Sequence, residues 1–395
     1  MTVHTDVLVV GASAAGLATT EALRRNGFGG SITLLGAEPH LPYDRPPLSK
    51  QVLAGDWTAD RTRLRAADAV EALNVDLALG EAAVALDVAG RSVRTDRRTI
   101  TADDIVIATG AHPRRLPGQP DLPGVHVLRS VEDSLALRSA LSGAAHVVVV
   151  GDGVLGAEIA ATTTSMGIDV TLVGPQDGLM RNQLGDEVSG VLTDLHAAHG
   201  VRLRLGDQVV GFVATDGRVA GVELGTGETL PADVVVVAIG AVPATDWLTD
   251  SGLSLDDGVL CDSGCRAAAG IYAAGDVARV VDETTGQTRR LENRTNATEQ
   301  GIAVAAAILG VAKPYAPIPY FWSDQFATRI QVDGTIPSDA EMSLVEGDLA
   351  SGRFVASYHR EGVVTGVVGW NMPKQSRRHR RRIGGPVHDL EVPVA

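Results

Sequence analysis

One local pattern is written twice in this chain: an apolar strand, a glycine-rich turn and an alanine-rich helix, at Asp6 to Leu23 and again at His146 to Met166. The two turns begin at Gly11 and Gly151, and each helix is followed by a second β-branched run, Ser31 to Leu35 and Asp169 to Val173. An apolar run that ends at glycine and continues as a helix reads as a βαβ unit, whose two strands are parallel. Two such units predict an α/β fold with two Rossmann-like, doubly wound domains.

A second echo follows each unit. Asp104-Ile-Val-Ile-Ala-Thr-Gly110 resembles Asp233-Val-Val-Val-Val-Ala-Ile-Gly240, each a buried strand that ends at glycine and runs into a proline-containing loop. Such loops suit domain crossovers. The expected organisation is one domain from 1–112 and 240–312, a second from 113–239 inserted into it, and a small C-terminal α+β domain over 313–395. The last begins at the proline-rich Lys313-Pro-Tyr-Ala-Pro-Ile-Pro-Tyr-Phe-Trp322, after which short alternating segments and turns take over.

Composition removes several function classes. The chain has 395 residues and a net charge of −14, which disfavours nucleic-acid phosphates as the main target. No apolar run reaches the ~18 residues a membrane helix needs, and the opening lacks a basic signal region, so a cytoplasmic location is expected. Its two cysteines, Cys261 and Cys265, are separated by three residues. That is neither a disulfide framework nor a redox C-x-x-C, and a metal site is not expected.

Forty-five glycines direct attention to the turns themselves. Gly11-Ala-Ser-Ala-Ala-Gly16 approaches G-x-G-x-x-G, with Ser13 in the middle place, and Glu38 follows the next strand where a ribose diol needs an acid. A tight strand-to-helix turn that binds nothing is the competing reading of this segment. Gly151-Asp-Gly-Val-Leu-Gly156 has all three glycines and is the stronger match, but its second strand ends in Gly174-Pro-Gln-Asp177, with neither a Glu nor an Arg at the strand end. Two dinucleotide sites used together suit one resident cofactor and one exchangeable coenzyme, namely FAD and NADH or NADPH. Ile271-Tyr-Ala-Ala-Gly275-Asp276 adds a strand ending in a carboxylate that can accept hydrogen bonds from a flavin polyol.

Leu41-Pro-Tyr-Asp-Arg-Pro-Pro-Leu-Ser-Lys50, the two glycine turns, Tyr272-Ala-Ala-Gly-Asp276, Thr295-Asn-Ala-Thr-Glu-Gln-Gly301 and Phe321-Trp-Ser-Asp-Gln325 together resemble the pyridine-nucleotide-dependent ferredoxin reductases. These are FAD enzymes that serve Rieske oxygenases and bacterial cytochrome monooxygenases. The resemblance implies that Gly11, Ser13, Ala15 and Gly16 cradle FAD and that Glu38 takes its adenosine ribose. It also implies that Arg45 and Lys50 line the flavin, that Thr109 and Gly110 close over it, and that Asp276 holds the ribityl chain. Val84, Arg129 and Arg294 match further FAD contacts, and Trp322 matches an aromatic near the flavin edge. Gly151, Gly153, Leu155, Gly156 and Gly240 fall to the nicotinamide coenzyme. Lys50 and Glu158 are the implied catalytic pair, meeting beside the flavin.

Asn296-Ala-Thr-Glu299 reads as a capping box, or a plain start, of a helix running to Leu309; the resemblance implies that this N-terminus points at the flavin pyrimidine, where its dipole would favour the reduced, anionic form. Many relatives have His-Trp where this chain has Asn293-Arg294. Gly174 stands where relatives that prefer NADH have Glu, so NADH, the favoured coenzyme, and NADPH both stay open.

The implied activity is hydride transfer from NAD(P)H to the flavin, then single electrons to a two-iron two-sulfur ferredoxin feeding an oxygenase. Rubredoxin, quinone or oxygen as acceptor, or a non-enzymatic NADH-sensing flavoprotein, are the alternatives. With no redox cysteine pair near either turn, electrons leave the flavin directly. Arg377, Arg378, Arg380, Arg381 and Arg382 form a basic run in an acidic chain, either a solvated helix face or a docking patch for an acidic ferredoxin.

Overall fold

The structure is a computed structural model that describes residues 1–283, 286–311 and 313–387. Ala312, where the expected first domain ends, and the last eight positions of the expected C-terminal domain lie outside the described residues. The chain divides into two compact units, each assembled from three segments. The first comprises Met1–Asp44, Ala59–His112 and Ala241–Pro317; the second comprises Arg45–Thr58, Pro113–Gly240 and the chain from Ile318 onward.

The first unit is built on parallel strands in the spatial order Ile271–Ala273, Thr99–Ile107, Thr2–Val10, Ile32–Gly36 and Asp76–Leu79. Leu8 lies opposite Thr33 on one side and Ile105 on the other, and Val10 opposite Leu35 and Ile107. A parallel strand covered on both faces has no use for polar alternation, and Val7 to Val10 are fully buried. Helices Ala14–Arg25 and Arg294–Ile308 pack on each other and into this core.

The second of those helices does not start at Asn296. Asn293 is its N-cap and accepts from the Asn296 amide at 2.8 Å. The expected box fails because the Asn296 side chain is buried and committed elsewhere, donating to Leu291 O (3.0 Å) and accepting from the Tyr315 hydroxyl (2.8 Å).

The second unit repeats the parallel plan in the order Arg202–Leu205, Asp169–Gly174, His146–Val150, Val234–Val237 and Val125–His126. An antiparallel three-stranded layer accompanies it, Val209–Thr215, Arg218–Leu224 and Thr229–Pro231. From Ile318 onward the same unit carries an antiparallel five-stranded sheet, ordered Tyr320–Gln325, Thr328–Gly334, Val363–Trp370, Arg353–Arg360 and Glu341–Asp348, followed by helix Pro373–Arg380.

Two features differ from the expected division. The C-terminal sheet has its own architecture yet clusters with the inserted domain, because buried polar contacts tie the two. The Tyr358 hydroxyl donates to Leu184 O where helix Arg181–Ala198 is broken at Gly185, and Gln325 meets His196. Arg45–Thr58, placed by sequence in the first domain, also joins the second unit. Ser134 Oγ donates to Leu48 O (2.7 Å) and Thr162 Oγ1 to Ser49 O (2.8 Å), anchoring this short stretch there. Among the described residues no helix is long and apolar enough to cross a membrane.

Candidate active site

Both glycine turns leave the C-terminal end of a central strand that has a neighbour reached by a crossover on each side. This is the topological switch point at which open α/β sheets form a crevice. The backbone repeats closely. Gly11 N donates to Leu35 O (2.7 Å) and Ala108 N to Val10 O (2.7 Å); Gly151 N donates to Val173 O (2.8 Å) and Ala238 N to Val150 O (2.7 Å). Gly11 and Gly151 have φ of 123° and 124°, and a Cβ on either would overlap the carbonyl oxygen of Ala108 or Ala238. The second sequence echo is therefore the strand against which each turn closes.

The middle position behaves differently. Gly153 is the N-cap of helix Val154–Ser165 with φ −81°, and a Cβ there would meet nothing within 4 Å. The space a side chain would take there is open, and glycine also suits the N-cap position. A diphosphate at the open helix N-terminus fits, since the first-turn amides lack helical partners and carry the positive end of the dipole. Ser13 holds the matching N-cap place in the first turn, before helix Ala14–Arg25, with no side-chain cap bond. Ala15 and Gly16 are buried in that first turn, whereas Leu155 and Gly156 begin the second helix.

Other expected residues of the first unit lie on elements around its sheet. Glu38 follows strand Ile32–Gly36 and accepts from the Tyr43 hydroxyl. Thr109 Oγ1 donates to Ala244 O (2.9 Å), and Gly110, at φ 74°, follows it. Val84 is half-buried in strand Ala83–Asp87. Asp276 is half-buried beyond strand Ile271–Ala273, where the preceding Gly275 N donates to the buried Gln300 Oε1 (2.7 Å). Arg294 pairs with Asp44 at 2.7 Å.

In the second unit, Arg45 donates to Arg129 O (2.7 Å). Gly240 has φ 97° just past strand Val234–Val237, and its amide partner across the loop is Arg114 N, donating to Gly240 O at 2.9 Å. Trp322 is half-buried and stacks on Tyr320 with centroids 6.2 Å apart.

Lys50 and Glu158 do meet. Lys50 Nζ lies 2.6 Å from Glu158 Oε2, with side chains 11% and 7% exposed. The carboxylate is held from three directions: Ser49 Oγ donates to Oε2 (2.6 Å) and Ser323 Oγ to Oε1 (2.8 Å). Gln325 Nε2 donates to Ser323 Oγ (2.9 Å), and Gln325 Oε1 is 2.7 Å from His196 Nε2. An acceptor at that distance makes Nε2 the protonated nitrogen. Burial pushes His196 down to about 4, so it is neutral at pH 7 and cannot add a second buried cation to the chain.

Sequence reasoning missed Ser49, Ser323, Gln325 and His196. One signal was available: Ser323 and Gln325 are two apart in a strand, hence on one face, and that face is buried. Buried polar residues in alternation require partners.

The cysteines sit in the core of the first unit. Burial pushes the Cys265 thiol up to about 12 and Cys261 higher, so both are protonated thiols at neutral pH and poor nucleophiles. The basic run is partly spent within its own sheet. Arg378 and His379 bind Glu346, and Arg380 lies 3.3 Å from Asp333, while Arg377 and Arg381 are exposed and Arg382 is half-buried.

Two family models cover this framework: pyridine nucleotide-disulphide oxidoreductase over residues 5–301 and reductase C-terminal over residues 320–388. The chain belongs to the pyridine nucleotide-disulphide oxidoreductase family. Its relatives include a ferredoxin–NAD(P)+ reductase of a Sphingomonas species, 38% identical over 91% of this chain and 88% of the relative. The fold is similar to the crystal structure of the ferredoxin reductase of the CYP199A2 system from Rhodopseudomonas palustris, with a TM-score of 0.93, 31% identity, and coverage of 98% of this chain and 96% of the other. It is also similar to the reductase in the covalent putidaredoxin reductase–putidaredoxin complex, with a TM-score of 0.92, 31% identity, and coverage of 98% and 95%. Membership and the activity named for the relatives make FAD and NAD(P)H the cofactors of this chain.

Proposed function

We propose that the protein is an FAD-dependent NAD(P)H:ferredoxin reductase whose acceptor is a two-iron two-sulfur ferredoxin serving an oxygenase. Family membership, the activity named for the relatives and the doubled cradle support the reading, and the buried Lys50–Glu158 pair carries it. We assign FAD to residues 1–112 and 240–312, the coenzyme to 113–239, and an interface role to the segment from 313. The FAD contacts proposed are Gly11, Ser13, Ala15, Gly16, Glu38, Arg45, Lys50, Val84, Thr109, Gly110, Arg129, Asp276, Arg294 and Trp322. The coenzyme contacts proposed are Gly151, Gly153, Leu155, Gly156 and Gly240. A cytoplasmic location suits an enzyme that draws on reduced nicotinamide coenzyme.

When bound, the nicotinamide supplies a hydride and the flavin accepts it and hands electrons on singly. The chain supplies placement and charge. The Lys50 ammonium offsets negative charge in a water-poor setting, where a fixed cation acts strongly. Glu158 prevents it from swinging away, and Ser49 and Ser323 keep Glu158 from following it into water. A pair with every partner in place is valued for its position, since its desolvation cancels most of its attraction. Asn293 fixes the start of helix Arg294–Ile308, whose N-terminus favours a neighbouring anion.

Anaerobic rapid mixing of the FAD-loaded protein with NADH and with NADPH tests the activity. Fast bleaching of the flavin followed by reduction of a two-iron two-sulfur ferredoxin is expected. A flavin that neither coenzyme bleaches would overturn the enzyme reading in favour of a binding module.

The basic run Arg377, Arg378, Arg380, Arg381 and Arg382 is our candidate ferredoxin surface. Its sign opposes the chain's net charge of −14, and Arg377 and Arg381 are exposed. The double variant Arg377→Glu/Arg381→Glu should raise KM for ferredoxin about tenfold at low salt, with little change at high salt, because rim charges act mainly on encounter. An unchanged KM would remove the patch from the interface.

A further inference from the structure

We infer that Asp152, inside the second glycine turn, supplies the carboxylate that discriminates the coenzyme and makes the protein select NADH, with its free 2′-hydroxyl, over the 2′-phosphate of NADPH. The inference rests on the coenzyme reading given above. In dinucleotide-binding sheets this choice is made at the end of the second strand, where an acid accepts from the ribose hydroxyl or an arginine receives the phosphate. Here that strand, Asp169–Gly174, ends in glycine. A Cβ on Gly174 would overlap Asp152 Cβ and Oδ2. The Asp152 side chain therefore fills the place that a strand-end side chain would take. The acid has moved from the strand to the turn beside it.

The carboxylate is held in that position. Asp152 Oδ2 accepts from Gln176 N (2.7 Å) and Oδ1 from Gln176 Nε2 (2.6 Å), while Gln176 Oε1 accepts from Asn182 N (3.0 Å). The Asp152 carbonyl accepts from Met180 N (2.8 Å), so the loop after the strand is folded around this residue. Each carboxylate oxygen keeps acceptor capacity for a hydroxyl. Asp152 is 5% exposed, so water screens its charge little, and it repels a phosphate dianion brought close to it. Arg181, the one basic side chain between Gly174 and Asn182, is engaged by acids: Nε and Nη2 lie 2.5 and 3.1 Å from the two oxygens of Asp186, and Nη1 3.4 Å from Asp177.

The test measures binding as well as turnover. ADP-ribose and 2′-phospho-ADP-ribose are titrated by calorimetry into the FAD-loaded protein, alongside kcat/KM for NADH and NADPH. The unphosphorylated fragment should bind ~10-fold or more tightly than the phosphorylated one, and NADH should be favoured in turnover. Asp152→Gly should cut that preference about tenfold, and Asp152→Gly/Gly174→Glu, which returns the acid to the strand end, should restore it. Should Asp152→Gly not fold, Asp152→Asn removes the charge at nearly constant volume and should shift the ratio the same way. A wild-type preference for the phosphorylated fragment overturns the inference, as does an unchanged ratio in a folded Asp152 variant. Failure of both fragments to bind would overturn the coenzyme reading itself and the inference with it.

Discussion

Glu158→Gln should slow anaerobic flavin reduction by NADH by ~10²-fold or more, the range seen when one preorganised electrostatic element is removed from an active site. It should also lower stability by about 3 kcal/mol, because Lys50 would be left nearly buried without its counter-charge. The two effects separate in Lys50→Met/Glu158→Gln. Removing the stranded cation should return most of the melting temperature while the reduction rate stays low. A single variant that keeps the wild-type rate would make the pair a structural tie only. Ser323 donates to Glu158 and Gln325 to Ser323, so the role proposed for both is to position Glu158.

The second large effect contrasts two glycines two residues apart. Gly151→Ala should cost more than about 3 kcal/mol, since φ is 124° and the new methyl would overlap Ala238 O. Gly153→Ala, with φ −81° and no atom within 4 Å of a Cβ, should cost about 1 kcal/mol or less, the loss of a glycine N-cap. Yet Gly153→Ala should weaken NAD+ binding by ~10-fold or more, because the methyl would stand where a diphosphate approaches the backbone. Thermal melting and a binding titration on both variants check the pair. Equal destabilisation, or unaltered NAD+ affinity in Gly153→Ala, would remove the assigned reason for that glycine.

How much was legible follows from how local each constraint is. The strand–turn–helix repeats were readable because their determinants lie within a few residues: an apolar run, a glycine whose φ no other residue takes easily, and a helical period after it. The helix start at Asn293 was misplaced because two asparagines three residues apart can each cap, and only the Asn296 contacts to Leu291 and Tyr315 decide between them. Glu158 and Lys50 were found through a motif. Ser49, Ser323 and Gln325 stand in the same motifs, but their role as supports was not read, since Ser49 lies 109 residues and Ser323 165 residues from Glu158 in sequence. Serine and glutamine are ordinary surface residues, and only the two-residue spacing of Ser323 and Gln325 hinted that they share a buried strand face.

The interleaving of the two units also has a consequence for biosynthesis. Arg45–Thr58 emerges from the ribosome early, but the second unit to which it belongs is not complete until the chain beyond Ile318 has been made. About 260 residues separate Thr58 from Ile318, which at ~5–20 residues/s is on the order of half a minute of translation. From its own synthesis Glu158 waits a further 165 residues for Ser323, and throughout the longer interval the segment bearing Lys50 has only part of its final surroundings. A nascent chain of this design holds an incomplete, polar-lined seam for much of its synthesis, the stage at which chaperone protection matters most.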